Sequence, residues 1–170
     1  IVSSTFYDNK LLSAEVLKLT RRSPQPCTWI HVSGGEEKPQ DRGFSNPKEV
    51  PKVVIQARAA TRRYGAGADI RVITFYNMQK LALERAFKTH RNLKNIRIVS
   101  VRRSRWNCSD VIIISTVRSG GSRKLFGFML DRSRVNVVIS RAKQECIIVG
   151  DRDTLRSRGG AMWQSVVDHY

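Results

Sequence analysis

Apolar positions along this chain alternate between a helical period and short continuous runs. Between Val50 and Ala60 the apolar residues recur at three- and four-residue intervals, which predicts a helix with one buried face. Asn46 is its predicted N-cap, because Pro47 then takes the first helical position and Glu49 lies three residues past the cap. The same spacing predicts further helices over residues 11–19, 79–90, 131–142 and 163–170.

Short apolar runs rich in β-branched residues predict strands between these helices. The run from Val111 to Ile114 is apolar on both faces, which is typical of a parallel sheet covered on both sides. The alternation therefore predicts an α/β fold with a doubly wound, mainly parallel sheet. The length suits one domain over residues 1–170, with residues 1–26 as an opening segment and helix. The predicted strands are residues 27–32, 70–75, 96–101, 111–117 and 146–149.

The chain is strongly basic. Its 170 residues include 31 Lys and Arg against 14 Asp and Glu, a formal net charge of +17. Residues 1–90 carry 15 basic and 8 acidic side chains, and residues 91–170 carry 16 and 6, so the charge belongs to the whole body. This balance predicts a polyanionic partner, with RNA and DNA both open. A solvated basic surface that only aids solubility, or a structural protein of a ribonucleoprotein particle, would have the same charge.

The sequence lacks the features of several classes of protein. No apolar run approaches the roughly 18 residues of a membrane span. The start has neither a signal peptide nor an initiator Met, so we expect a domain of a longer chain. The sparse Cys residues predict a reducing, intracellular compartment. The three Cys and three His are scattered, which argues against a disulfide framework and predicts no metal site. No Gly-x-x-x-x-Gly-Lys-Ser/Thr phosphate loop occurs.

Polar residues follow three of the predicted strands. Tyr76 and Gln79 come after the second strand, Ser115 lies in the fourth, and Asp151 follows the last. Ligands of open α/β sheets bind at the carboxyl ends of the strands. We therefore expect these four side chains to meet at one edge of the sheet.

Residues 134–142, Arg-Val-Asn-Val-Val-Ile-Ser-Arg-Ala, resemble the Asn-Val-Ala-x-Thr/Ser-Arg-Ala helix of superfamily 1 helicases. The resemblance is closest to the up-frameshift (nonsense-mediated-decay) group. Residues 73–79, Ile-Thr-Phe-Tyr-Asn-Met-Gln, are similar to that group's Ile-Thr-Pro-Tyr-x-x-Gln motif, and residues 6–11 to its Phe-Tyr-x-x-x-Leu segment. The order of these segments implies the second, C-terminal RecA-like domain, over nearly the whole chain.

The resemblance implies a role for individual residues in an ATP-dependent helicase. Arg141 matches the arginine that reaches the γ-phosphate in trans, a task suited to a permanently charged fork. Gln79, Lys80, Tyr76 and Arg134 would contact the nucleotide or support its cleft. ATP and Mg²⁺ would be held mainly by a first RecA-like domain outside this chain. The isolated chain would then be inactive.

Each of these residues also has a structural interpretation. Arg141 could be an ordinary surface arginine. Gln79 and Lys80 could lie at a solvated helix start, and Tyr76 could pack in the core. Asn136, expected to support the cleft, could equally be a hydrogen-bonded residue at a helix–sheet junction.

The segment from Val101 to Asp110 departs from the group's Val-Asp-Ser/Ala-x-Gln-Gly-x-Glu-x-Asp pattern. Here Arg102 replaces the Asp, Arg105 the Gln, Trp106 the Gly and Cys108 the Glu. A tryptophan blocks the close backbone approach that glycine permits, and neither Arg105 nor Cys108 accepts hydrogen bonds as Gln and Glu do. Coupling of ATP hydrolysis to strand movement is therefore in question.

The same departure creates a basic and aromatic segment that suits single-stranded nucleic acid. A sequence error in an active helicase, or a solvated loop over a packed Trp106, would also explain it. Two functions follow: a motor domain of an RNA or DNA helicase, or a degenerate, non-enzymatic module that binds nucleic acid or acts as a scaffold. The predicted nucleic-acid contacts are Arg102, Arg103, Arg105, Trp106, Ser115 and Arg118.

Overall fold

The computed structural model describes residues 27–35, 43–101, 107–120 and 123–169. The predicted helix over residues 11–19 and the Phe-Tyr-x-x-x-Leu segment lie outside the described residues. So do Arg102, Arg103, Arg105 and Trp106. Within the described ranges, no helix combines the length and apolar character that crossing a membrane requires.

The described strands form one five-stranded sheet in the order β1-β5-β4-β2-β3. All four neighbouring pairs are parallel, which confirms the predicted α/β class. Strands β4, β5 and β2 lie inside the sheet, and this is why the run from Val111 to Ile114 is apolar without interruption. The strands are β1 (Cys27–His31), β2 (Ile70–Thr74), β3 (Arg97–Ser100), β4 (Ser109–Ser115) and β5 (Ala142–Gly150).

Helices cover both faces of the sheet, as the doubly wound prediction required. The five α-helices of the described chain are α1 (Glu49–Tyr64), α2 (Asn77–Lys88), α3 (Arg132–Ser140), α4 (Arg152–Arg158) and α5 (Gly160–His169). The described elements also include a 3-10 turn, Arg91–Leu93, and a 3-10 stretch, Arg123–Leu130, that is kinked at Gly127.

Alternate strand residues divide the core in two, because successive side chains point to opposite faces. Val111 and Ile113 belong to the cluster that includes Val53 of α1 and Leu83 of α2. Ile112 belongs to the second cluster, with residues of α3 and α5. The helices that carry the predicted site therefore approach the sheet from different sides.

Several predicted boundaries are wrong. Strand β5 begins at Ala142, four residues before the predicted start, and α4 was not predicted. Strand β4 ends at Ser115 rather than Val117. Val117 has a φ of +73°, a region that β-branched residues rarely adopt, so the chain leaves the sheet there through a strained turn.

The predicted cap of α1 is also wrong. The helix begins at Glu49 with Lys48 as its N-cap residue. The Asn46 side chain instead accepts the Lys48 N–H at 3.1 Å, which is an Asx turn ahead of the helix. Glu49 does not fold back to the Asn46 N–H as a capping box requires, because that N–H donates to Gln79 Oε1 at 2.8 Å.

Candidate functional site

The carboxyl edge of the sheet gathers the polar residues that the sequence placed there. The register aligns Thr74 of β2 with Ser115 of β4, and Ser115 with Val149 of β5. Tyr76 and Asp151 follow the first and last of these strands within two residues. The expectation that these strand ends share one edge is confirmed.

A buried hydrogen-bond network links this edge to the starts of α1 and α2. The Ser115 hydroxyl donates to Glu49 Oε2 at 2.6 Å and accepts from Gln79 Nε2 at 3.0 Å. The Val117 N–H donates to Glu49 Oε1 at 2.8 Å. All three side chains, of Glu49, Gln79 and Ser115, are fully buried.

The pKa of the Glu49 carboxyl group is unusually high in this buried position. Burial raises the pKa of its carboxyl group to about 8, although the hydrogen bonds from Ser115 and Val117 lower it. The nearby Asp151 carboxylate adds to the increase. Sequence reasoning missed Glu49 as a site residue, because its position three residues past Asn46 suggested a capping role. A lone acidic residue at the start of an amphipathic helix carries no signal that it turns inward.

The side-chain amide of Gln79 makes two hydrogen bonds with the backbone of Asn46. Gln79 Oε1 accepts the Asn46 N–H at 2.8 Å, and Gln79 Nε2 lies 3.3 Å from the Asn46 carbonyl. The Asn46 side chain in turn donates to the carbonyls of Gly34 and Val117 at 3.0 Å each. Gln79 is therefore buried and not at a solvated helix start.

The turn after β4 carries a buried arginine, Arg118. Arg118 is fully buried, with its guanidinium 3.8 Å from the centre of the Phe44 ring and 5.1 Å from that of Phe126. The Phe44 ring in turn packs edge to face against the Tyr76 ring, with 5.4 Å between the two ring centres. Tyr76 is buried in the core cluster, as the packing interpretation of this residue expects. Ser115 and Arg118, both predicted to contact nucleic acid, are thus inside the fold.

Asp151 accepts several hydrogen bonds at the carboxyl edge, next to the end of β5. It caps α4 by accepting the Thr154 N–H at 3.0 Å and the Thr154 hydroxyl at 2.9 Å. It also accepts a short hydrogen bond from the Ser119 hydroxyl, which itself accepts the Gly34 N–H at 2.7 Å. Burial raises the pKa of Asp151, but the hydrogen bonds from Ser119 and Thr154 outweigh burial and hold it below its ordinary value.

His31, Asp151 and Asp153 bring candidate ligand atoms within 4.8 Å of one another at this edge. His31 Nδ1 accepts the Arg152 N–H at 3.1 Å, so a neutral imidazole carries its proton on Nε2. Nε2 faces Asp153 at 4.0 Å. A coordinating nitrogen must be free of a proton and of another donor, so neither nitrogen of this ring is placed to bind a metal in this geometry.

Arg141 lies at the opposite edge. It directly precedes Ala142, the partner of Ser109 at the start of β4, and its carbonyl accepts the Ser109 N–H at 3.0 Å. The six residue steps of β4 separate this edge from Ser115 by about 20 Å. Its Nε is buried and has no hydrogen-bond partner within the described ranges. The structure therefore does not place the backbone of Arg141 beside Gln79.

The remaining predicted residues lie at helix starts. Lys80, in the first turn of α2, pairs with Glu84 at 2.6 Å. Arg134, in the first turn of α3, pairs through Nε with Asp131 at 3.0 Å, so α3 separates it from Arg141. Asn136 is half-buried along the same helix.

Comparison with known proteins assigns the chain to a family. Residues 1–153 match the family model described as an AAA domain. The chain is 30% identical over 155 residues to regulator of nonsense transcripts 1 of Caenorhabditis elegans, covering 86% of this chain and 14% of that protein. It is 33% identical over 132 residues to an uncharacterized ATP-dependent helicase of Methanocaldococcus jannaschii, covering 77% of this chain and 19% of the relative.

Two further matches extend the comparison. The 3'-5' exoribonuclease HELZ2 of Mus musculus is 30% identical over 193 residues, which is 98% of this chain and 6% of that protein. The chain thus spans less than a fifth of these curated relatives. A crystal structure of the C-terminal domain of a possible DNA helicase from Lactobacillus plantarum WCFS1 aligns with a TM-score of 0.49 and 14% identity, over 76% of this chain and 74% of that chain.

Proposed function

Because this chain belongs to the AAA domain family, as the second RecA-like domain of an up-frameshift-like superfamily 1 helicase, we propose that it is one half of an ATP-driven motor on nucleic acid. It would supply Arg141 to ATP bound by a first RecA-like domain, together with part of a single-strand surface. ATP is the substrate of that reaction, and Mg²⁺ would be held mainly by the other domain.

The observation that carries this proposal is the environment of Arg141. A buried guanidinium nitrogen without an acceptor is costly, so its presence supports an acceptor from outside the described residues. A γ-phosphate meets that need, because its oxygens accept charge-assisted hydrogen bonds from arginine. Arg141 would stabilise the charge of the transferring phosphoryl group in trans.

The buried network at the carboxyl edge would serve the motor indirectly. Gln79, Ser115 and Glu49 tie the first turns of α1 and α2 to the end of β4. In this proposal Gln79 is a positioning residue that holds the start of α2. Lys80 beside it is half-exposed and pairs with Glu84, so a phosphate would compete with that carboxylate for the Lys80 ammonium group. Tyr76 would support the same start from the core. Arg134 would act on the cleft through the start of α3.

A strand-binding surface would draw on charge and stacking. Arg102, Arg103, Arg105 and Trp106 would pair phosphates and stack a base, which reads no sequence. Ser115 and Arg118 are fully buried, so a strand would contact them only after the turn that follows β4 opened. The cytoplasm and the nucleus both fit such a protein.

The alternative function is a degenerate module that binds nucleic acid without hydrolysis. The replacement of Gln, Gly and Glu of the group's pattern by Arg105, Trp106 and Cys108 favours it. This alternative predicts binding that is independent of nucleotide, even when a first RecA-like domain is present.

ATP hydrolysis by the full-length protein, with and without single-stranded RNA, tests the motor. We expect RNA to stimulate hydrolysis and Arg141→Ala to reduce it by about 10³-fold or more. Arg91→Ala, at an exposed arginine of a 3-10 turn, is the matched control and should leave the rate unchanged. Salt-sensitive RNA binding without hydrolysis, equal in wild type and Arg141→Ala, would reject the motor in favour of the binding module.

A further inference from the structure

Helices α1 and α2 present a second surface, on the outer side of one face of the sheet. Both helices pack into the same core cluster, so their opposite sides point away from the sheet. Each helix places one large aliphatic side chain on that outer side. Ile55 of α1 is 52% exposed and Leu81 of α2 is 44% exposed, and they are the exposed large hydrophobic residues of the described chain.

Four exposed cations lie on the same sides of the helices as these two aliphatic residues, and the one acid beside Leu81 in α2, Glu84, already pairs with Lys80. On α1, Lys52 and Arg62 lie three residues before and seven residues after Ile55, which are positions on the same side of a helix. Arg85 and Lys88 lie four and seven residues after Leu81 on α2. All four cations are exposed, and none has a carboxylate partner within the described part of the chain. We call Lys52, Ile55, Arg62, Leu81, Arg85 and Lys88 the outer helical face.

The chemistry of this face narrows the choice of partner. Surfaces for single-stranded nucleic acid combine cations with aromatic rings, on which bases stack. The two large apolar side chains exposed here are aliphatic, and a phosphate backbone gains little from Ile55 or Leu81. A membrane is also disfavoured, because the broad apolar sides of both helices are already buried against the sheet. Exposed aliphatic side chains flanked by charged ones are instead typical of surfaces that bind proteins.

We propose that the outer helical face binds an acidic, amphipathic helical segment of a partner protein. Apolar residues of that segment, spaced three and four positions apart, would contact Ile55 and Leu81. Its Glu and Asp residues would pair with Lys52, Arg62, Arg85 and Lys88, which have no carboxylate partner among the residues that the structure describes. Steering by these charges would speed association and make it depend on salt. The proposal is independent of the motor function, because none of these six residues belongs to the network or to the Arg141 edge.

A designed peptide tests this surface. The probe is a fluorescent 18-residue helix of Glu and Ala with Leu at three- and four-residue intervals, titrated with the full-length protein and followed by anisotropy. A peptide with every Leu replaced by Ser keeps the charge and measures electrostatic binding alone. We expect the Leu peptide to bind at least about tenfold more tightly than the Ser peptide, since aliphatic contacts add to the charges.

Variants assign the binding to this face. Ile55→Ser with Leu81→Ser should abolish the advantage of the Leu peptide, while Lys52→Glu with Arg62→Glu should weaken both peptides by about tenfold or more. Arg158→Glu, an exposed arginine of α4, is the matched control and should change neither. Circular dichroism checks that each variant folds.

Three outcomes would overturn the proposal. The Leu peptide could bind no better than the Ser peptide. The Leu peptide could keep its advantage in the Ile55→Ser, Leu81→Ser protein. Single-stranded RNA could displace the Leu peptide and lose affinity in the Lys52→Glu, Arg62→Glu protein but not in Arg158→Glu, which would make the face a nucleic-acid surface.

Discussion

Ser115 at the end of β4 donates its hydroxyl hydrogen to the Glu49 carboxyl group at the start of α1, at 2.6 Å and across 66 residues of sequence. The second oxygen of the same group accepts the Val117 N–H at 2.8 Å. One buried side chain therefore holds both the last residue of the strand and the strained turn that follows. Glu49 thus ties the end of β4 and the turn after it to the start of α1.

Glu49 should make stability depend on pH. Its pKa is about 8 in the folded chain because of burial, against an ordinary value of 4.5. Between these values the folded state keeps a proton that the unfolded state has released. The free energy of unfolding should therefore fall as pH rises from about 5 to 8, by at most about 1.4 kcal/mol per pH unit from this group.

Urea unfolding of wild type and Glu49→Gln at pH 5, 6, 7 and 8 measures this contribution. The introduced amide does not titrate, so this contribution to the fall in the free energy of unfolding should be absent from the variant. The difference in the free energy of unfolding between the two proteins should therefore change with pH, in favour of the variant at pH 8. Glu84→Gln, at the half-exposed partner of Lys80, is the control and should follow wild type. Parallel curves for wild type and Glu49→Gln would contradict the burial of an acidic proton here.

Gly150 at the end of β5 should not tolerate a side chain. A Cβ there would lie 1.8 Å from Thr116 Oγ1, in the turn that Glu49 holds. Gly150→Ala should destabilise the fold by about 1–3 kcal/mol, because neighbouring atoms must move in a packed interior. Gly67→Ala adds the same methyl group where nothing lies within 4 Å, and it should be nearly neutral. Thermal unfolding of the two variants compares them directly, and equal melting temperatures would contradict the close approach.

Arg118 should be required for its planar shape as well as its charge. Its guanidinium stacks on the Phe44 ring at 3.8 Å in a fully buried position. Arg118→Lys keeps the charge but loses the flat contact, so we expect a loss of about 1–2 kcal/mol in the free energy of unfolding. Chemical denaturation measures this loss. The control is Arg58→Lys, at an exposed arginine of α1, which should leave the free energy of unfolding almost unchanged. If Arg118→Lys left the free energy of unfolding unchanged, the stacking on Phe44 would contribute little to stability.

Asp131 should stabilise α3 by capping. Its carboxylate accepts the N–H groups of Ser133 at 3.0 Å and Arg134 at 3.3 Å. Asp131→Ala should cost about 1 kcal/mol, whereas Asp131→Asn should retain most of the stability because asparagine caps nearly as well. Denaturant midpoints of the three proteins test the order. If the Asn variant were as unstable as the Ala variant, the ion pair with Arg134 rather than the cap would be the stabilising contact.

The sequence alone accounts for much of the fold. The spacing of apolar residues predicted the helices α1, α2, α3 and α5, and short apolar runs predicted all five strands, because these patterns are local in the chain. The charge and the segment containing Arg141 indicated the helicase family. The short helix α4 was missed since its seven residues, Arg152–Arg158, include a single buried apolar residue, Leu155, and show no period.

The candidate site depended far more on tertiary structure. Glu49, Gln79 and Ser115 lie in three separate segments, and their hydrogen bonds exist because parallel strands and the helix starts meet at one edge. Arg141 and Gln79 were expected to serve one site, but the direction of β5 puts Arg141 at the other edge. Local pattern thus determined which segments are helices, strands and motifs. Only the packing of distant segments decided which polar groups are desolvated together, because burial and hydrogen bonding are set by neighbours in space.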